Sequence, residues 1–546
     1  MPSDKQLAQR IRKLTEIGLS LSAEKNTTRL LESILNGAKE LSNADAGTLY
    51  SVYEAEDGNP TIRAEILHND SLGIFQGGSS GSQITLANIP LLNADQTQNL
   101  ENVVSYSINS ENTVNIQDVY NHQEFDFSGM RKIADEMGYR PQSMLTIPMK
   151  DHTGEVIGAL QLINALSEES GQPIDFSATI VELVESLASQ AAIALTNQKL
   201  INEQKILLES IIQLVATAID EKSPYTGDHC RRVPVLTMMI ADAAHDSSTG
   251  PLKDFQMTPE DRYELEIAAW LHDCGKITTP EYIIDKATKL ETIHDRIADI
   301  ATRFEVLKRD AEIYLLKKQL TESGHNLTAL EAIIGPQLDE IIAEYNEQLS
   351  FLRKHNTGGE FMSEQDMEKV KSIAGNTWSF EAETKTLLTD DEIYNLTISK
   401  GTLTPEEREI INHHIVATIN MLESLPFPKH LRNVPEFAGG HHERMDGKGY
   451  PKGLTREQMS VQARAMGIAD VFEALTARDR PYKPGKTLTE ALKILGFMCK
   501  DNHIDKDLFQ LFIDRKIYQD YADKHLDPRQ IDEVNHAEIP GYGLNN

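Results

Sequence analysis

Cysteine is scarce in this 546-residue chain: only Cys230, Cys274 and Cys499. They form no CxxC pair, which excludes a disulfide framework and fits a reducing cytoplasm. Positive charge is also short. Lys and Arg total 53 against 84 Asp and Glu, a net charge of −31. A surface that acidic disfavours long nucleic acid, which needs a broad basic track, but a few clustered Lys and Arg still admit a small anionic substrate. The N-terminal stretch MPSDKQLAQRIRKL has no apolar signal core. No stretch reads as the run of ~20 apolar residues that a membrane span needs. Internal repeats and low-complexity tracts are absent as well. What remains is 40% hydrophobic and 25% charged, the composition of a soluble, globular, cytoplasmic chain. Its length calls for several domains.

Residues 1–45 carry helical spacing at Leu30, Leu31, Ile34, Leu35, Ala38 and Leu41, with Asn26-Thr27-Thr28 as the N-cap. The period then changes. GTLYSVYEAEDGNPTIRAEI alternates around Asp57-Gly58-Asn59-Pro60, and SMLTIPMKDHTGEVIGALQLIN alternates around Asp151-His152-Thr153-Gly154. Residues 1–175 are therefore expected to be α+β, with helices on an antiparallel sheet. Residues 176–222 read as one long connecting helix. Ile193, Leu200, Leu207 and Leu214 fall seven apart, although Asn197 and Gln204 interrupt the seam. That helix is either a parallel dimer stalk or packed on its own domains. The remainder reads as helical, including a possible antiparallel pair in DRIADIATRFEVLKRDAEIYLLKK and ALEAIIGPQLDEIIAEYNEQLSFLRK.

Five short fragments concentrate histidine and acid: Thr226-Gly227-Asp228-His229, His272-Asp273, His413-His414, His441-His442-Glu443 and Ala469-Asp470. His272 and Asp273 end the apolar helix LEIAAWLHDCGK, and Asp470 lies inside another apolar helix, AMGIADVFEALTA. An ionised Asp there is costly unless paired or bound to metal. Imidazoles suit first-row transition metals, and a carboxylate can bridge two of them. Such a pair lowers the pKa of a bridging water and clamps a phosphodiester. Helix neighbours point about 100° apart, so only one of His413 and His414 is expected to face the site.

Taken with HHERMDGKGYP at 441–451, YTGDHCRRV at 225–233, HDCGK at 272–276 and RPYK at 480–483, these fragments resemble the HD-GYP family of bacterial HD phosphohydrolases. The resemblance covers about 205–290 and 400–500, and it implies an all-α catalytic domain made of residues 205–290 and 400–546. It implies a phosphodiesterase that hydrolyses cyclic di-GMP to pGpG or GMP, using a metal-bridging hydroxide and divalent ions, iron or manganese. One ion would be held by His229, His272, Asp273 and Asp470, the other by Asp273, His414, His441 and His442, with Asp273 as the bridge. Lys276, Arg480 and Lys483 would contact phosphate oxygens. Lys448, Gly449 and Tyr450 would shape the rim for the dinucleotide. Tyr225 stands where some members place a glutamate for a third metal, so a two-metal site is expected. His272 and His414 are 142 residues apart, far more than the family's usual connection. Residues 291–400 thus read as a helical insertion, a lid, a dimer surface or a partner platform.

The N-terminal module resembles a GAF domain in ADAGTLY at 44–50, GYRPQSML at 138–145 and IGALQLIN at 157–164. Cyclic-nucleotide-binding members often follow the last Asn with Lys. Ala165 follows here, which argues against a cyclic nucleotide ligand. An unknown small ligand and a ligand-free dimerising module both stay open. The expectation is a homodimeric, GAF-regulated phosphodiesterase. Alternatives are a non-catalytic cyclic di-GMP receptor and a hydrolase of 3′,3′-cyclic GMP-AMP.

Overall fold

The computed structural model describes residues 4–55, 58–128, 130–131, 137–222, 229–323, 327–359, 361–381, 383–477 and 485–543. The chain divides into two compact units, Met1–Leu207 and Leu208–Asn546.

The first unit opens with α1 (Asp4–Ala23) and α2 (Thr27–Ser42). Asn26 caps α2 by accepting the Arg29 N–H at 3.0 Å. The strands are β1 (Ala44–Glu54), β2 (Pro60–Asn69), β3 (Ile74–Gly77) and β4 (Ile89–Pro90). After α3 (Val103–Ser110) come β5 (Val114–Ile116), β6 (Met144–Lys150), β7 (Val156–Leu166) and β8 (Pro173–Ile174). They form one antiparallel sheet in the order β3-β2-β1-β7-β6-β5, with β4 on β2 and β8 on β7. Gly58 at φ 79° and Gly154 at φ 90° supply the left-handed positions of the two expected turns. Asp57 of the first turn lies outside the described residues. Because strand side chains alternate, the sheet has two buried faces. Leu49, Leu160 and Leu162 pack toward α1 and α2, whereas Tyr50 and Ala159 pack toward α3.

Helix α4 (Ala178–Asp220) follows without interruption for 43 residues. Its first turns lie in the core of the first unit through Ile180, Val184, Leu187, Ala188 and Ala191. Its last turns enter the core of the second through Ile212, Ala216 and Ile219. One sequence expectation needs correction here. Part of α4 has a mean hydropathy of 1.4, so this helix is long and apolar enough to cross a membrane by length and composition. Ser, Thr, Asn and Gln interleave its aliphatic residues, so no continuous apolar run flags it.

The second unit begins with α5 (His229–His245) and α6 (Pro259–Leu271). A separate segment then comprises α7 (Ile297–Ser323), α8 (Leu327–Asn356), α9 (Glu364–Ala374), the strands β9 (Thr377–Phe380) and β10 (Glu383–Thr386), and α10 (Asp390–Leu396). The chain resumes with α11 (Pro405–Glu423), α12 (Val434–Gly439), α13 (Val461–Thr476), α14 (Leu488–Lys500), α15 (Lys506–Asp514) and α16 (Ile517–His525). The segment from α7 to α10 has a core of its own around Leu290, Phe304, Leu352, Val370 and Leu387. Its two ends meet. Lys286 Nζ pairs with Glu407 at 2.7 Å, and Lys289 Nζ donates to the Leu396 and Ile398 carbonyls at 3.0 and 2.7 Å. The β9–β10 hairpin is an exception within a segment expected, and found, to be mostly helical. Its strands are only four residues each, too short for a period to register in sequence.

Candidate metal centre

Five helical elements deliver the expected ligands to one buried place. His229 opens α5, His272 and Asp273 follow α6, His414 lies within α11, His441 and His442 follow α12, and Asp470 lies within α13. His229, His272, Asp273, His414, His441 and Asp470 are all buried. Close approach of α11 to the turn after Asp273 depends on Gly275: a Cβ there would sit 2.0 Å from the His414 carbonyl oxygen. The Gly275 N–H instead donates to Thr418 Oγ1 at 2.9 Å.

Asp273 is the centre of the arrangement. Its Oδ2 faces His229 Nε2 at 3.4 Å and His272 Nε2 at 3.2 Å. Its Oδ1 faces His414 Nε2 at 3.3 Å and His441 Nε2 at 3.9 Å. Asp470 Oδ1 lies 3.3 Å from His229 Nε2. Ligand atoms of His229, His272 and Asp470 fall within 4.8 Å of one another, and so do those of His414, His441 and His442. His413 is exposed, as helix geometry required.

The donor set fits metal ions. Nε2 of His229, His272, His414 and His441, and Oδ1 of Asp273, are buried with no hydrogen-bond partner. Five orphaned polar atoms converging on one spot would be destabilising if nothing occupied the space between them. The opposite ring edges are fixed. Nδ1 of His272 and of His441 donate to the Ala269 and Ala438 carbonyls at 2.7 and 2.6 Å, and Nδ1 of His414 donates to the Ile411 carbonyl. A carbonyl only accepts, so each Nδ1 carries the proton and each Nε2 offers a lone pair.

Electrostatics favour the same state at His441 and His442, whereas at His229 burial is outweighed by Glu473, Asp273 and Asp470, which raise its pKa well above the usual value. Burial opposes ionisation of Asp273, but Lys276 and His272 outweigh it and hold the carboxyl well below its ordinary range. Burial likewise opposes ionisation of Asp470, and the hydrogen bond from His229 is the largest effect that offsets it. Burial, then His442 and His272, drives His441 well below its usual value, and burial pushes His442 down to about 4. These rings are neutral donors at neutral pH.

Of the residues expected to touch substrate, Lys276 Nζ sits 2.5 Å from Asp273 Oδ2. Tyr450 stacks on His442 with ring centroids 4.9 Å apart. Gly449 packs against the backbone of Glu443 and Arg444, where a Cβ would not fit. Lys448 is not brought to the histidines: its side chain is 78% exposed and its Nζ lies 3.7 Å from Asp446. Tyr225, Asp228, Arg480 and Lys483 lie outside the described residues.

Sequence reading missed the supporting roles of several groups. Glu473, one turn after Asp470, accepts from His229 Nδ1 and pairs with Arg232 Nε at 2.6 Å. Glu443 accepts the Lys452 and Leu454 N–H groups at 2.7 and 2.9 Å and so fixes the glycine-rich loop. Lys222, just past α4, donates to the Ile277 and Thr279 carbonyls at 2.5 and 2.6 Å, next to the turn bearing Asp273. The spacing of Glu473 from Asp470 was the one available signal, since both fall on one helix face.

Comparison with known proteins agrees with this architecture. The GAF domain family matches residues 26–195, and the HD domain family matches twice, at 226–345 and 386–508. The first HD match continues past 290 into the segment expected as an insertion. Among curated relatives, the 3′3′-cGAMP-specific phosphodiesterase 1 of Vibrio cholerae serotype O1 is 40% identical over 80 residues, 15% of this chain and 18% of the relative. The cyclic di-GMP phosphodiesterase of Thermotoga maritima is 40% identical over 96 residues, 18% of this chain and 26% of the relative. A probable cyclic di-GMP phosphodiesterase of V. cholerae is 33% identical over 139 residues, 24% of this chain and 31% of the relative. The chain thus spans less than a third of each of these relatives. The two HD matches contribute to one centre: His229, His272 and Asp273 come from the first, and His414, His441, His442 and Asp470 from the second. The chain therefore carries a GAF domain followed by two stretches that match HD domains, similar in that second part to bacterial cyclic dinucleotide phosphodiesterases.

Proposed function

We propose that this chain is a metal-dependent phosphodiesterase of the HD-GYP type that hydrolyses cyclic di-GMP to pGpG or GMP. The observation that carries the reading is Asp273, whose two oxygens face two different sets of imidazoles. Two divalent ions, iron or manganese, would supply Lewis acidity and an activated water when bound. His229, His272, Asp273 and Asp470 would hold one ion, and Asp273, His414, His441 and His442 the other. Lys276 Nζ pairs with the shared Asp273 carboxylate and would offer a positive charge to a bound phosphodiester. Tyr450, stacked on His442, offers an aromatic face at the rim. Gly449, Lys448, Arg480 and Lys483 would complete the dinucleotide site.

Cyclic GMP-AMP is the second reading for substrate, supported by the name of the V. cholerae relative above. The GAF domain is the regulatory module in this proposal. A cavity of about 480 Å³ among Tyr50, Asn69, Phe127, Tyr139 and Gln161 supports a small ligand there. The chain would act as a cytoplasmic homodimer through α4, whose Leu200, Leu207 and Leu214 are exposed. The segment 291–400 would be an insertion in the catalytic domain.

The test is metal analysis with product analysis on protein loaded anaerobically with Fe²⁺ or Mn²⁺ and offered each dinucleotide. Two ions per chain and release of pGpG are expected. Tight dinucleotide binding without turnover by the fully loaded protein would identify a receptor instead.

A further inference from the structure

Of the five histidine rings that line the centre, four have their proton-bearing edges turned outward onto a partner, and they are not backed alike. His272, His414 and His441 lean on neutral carbonyls three residues earlier in their own chain segments. His229 leans on a carboxylate from a different helix, Glu473 of α13. Glu473 is 1% exposed and has its other oxygen on Arg232, so it is held in place and ionised. An imidazole that donates its N–H to a carboxylate gains electron density at its other nitrogen and binds a cation more strongly than one that donates to a carbonyl.

The two ligand sets differ in charge in the same sense. His229 and His272 share their side of Asp273 with a second carboxylate, Asp470. His414 and His441 share the other side with a third neutral ring, His442. His442 is steadied by stacking on Tyr450.

We infer that Glu473 is a positioning residue that makes the His229–His272–Asp470 half of the centre the tighter of two unequal metal sites, filled first as metal is supplied. The inference rests on the two-metal reading above but not on the identity of the substrate.

The test is calorimetric titration of the metal-free full chain with Mn²⁺, comparing the parent protein with Glu473→Gln, Glu473→Asp and Arg232→Met. Glutamine keeps the volume and an accepting oxygen but removes the charge. The parent should take up two ions in separable steps. Glu473→Gln should weaken the tighter step by 10–100-fold and leave the weaker within a few-fold. Glu473→Asp should recover part of that loss. Arg232→Met breaks the other half of the same contact and should leave the order of filling intact. Two equal sites in the parent, an unchanged tight step in Glu473→Gln, or equal weakening of both steps would overturn the assignment. Failure of dinucleotide turnover with normal stepwise uptake would instead count against the substrate reading alone.

Discussion

At the scale of single residues, Asp273 is the group on which the centre depends. It is 1% exposed, and both of its oxygens are directed at imidazole nitrogens. Asp273→Ala should lose both bound ions and all phosphodiester cleavage while far-UV circular dichroism stays as in the parent. Near-normal turnover or full metal content in that variant would remove Asp273 from its bridging place. The aspartates and histidines themselves were legible in sequence, because an acid within an apolar helix demands an explanation. Glu473 was not, because an acid one turn after another on a helix usually marks a solvated face. Only its packing against His229 and Arg232 distinguishes it.

At the scale of elements, the segment from α7 to α10 has its own core and is pinned at both ends by Lys286 and Lys289. Phe304 lies fully buried in that core, with its ring 6.1 Å from that of Tyr345 on α8. Phe304→Ala should destabilise the segment by about 3–5 kcal/mol. Hydrogen exchange should quicken across α7 to α10 while metal content is retained. Loss of metal in this variant would show that the segment and the centre are one cooperative piece.

Helix α4 presents a different case. Leu200, Leu207 and Leu214 are 43%, 61% and 68% exposed, while Ile212, Ala216 and Ile219 of the same helix are buried. Exposed leucines spaced seven apart fit one position of a two-stranded coiled coil, with Asn197, Gln204 and Ile211 alternating as the other. Leu207→Asp should convert a dimer into a monomer by light scattering. A parent protein that is already monomeric, or a variant of unchanged mass, would discard this face as a dimer seam.

For the whole molecule, metal should stabilise one unit and not the other, since every candidate ligand lies beyond Leu208. An ion at a hundred times its Kd adds about 2.7 kcal/mol to the unit that binds it. Chelation should therefore lower the thermal transition of the HD unit and leave that of the GAF unit in place, as read by calorimetry. A chelator that moved the GAF transition, or neither, would contradict this division.

Sequence by itself determined the local structure and the chemistry available. Alternation gave the hairpins around Gly58 and Gly154, helical spacing gave α2 and α4, and the residue types named the candidate metal donors. Tertiary structure alone decided that the two stretches matching HD domains build one centre, and that separate oxygens of Asp273 serve separate histidine sets. It also decided that His229 is backed by Glu473, 244 positions away, and that the chain leaves and returns between Lys286 and Glu407 at one place. Periodicity reports which face of an element is apolar, because that depends on neighbours a few residues apart. Which buried groups meet across such distances depends on how whole helices pack, and no short window of sequence contains that information.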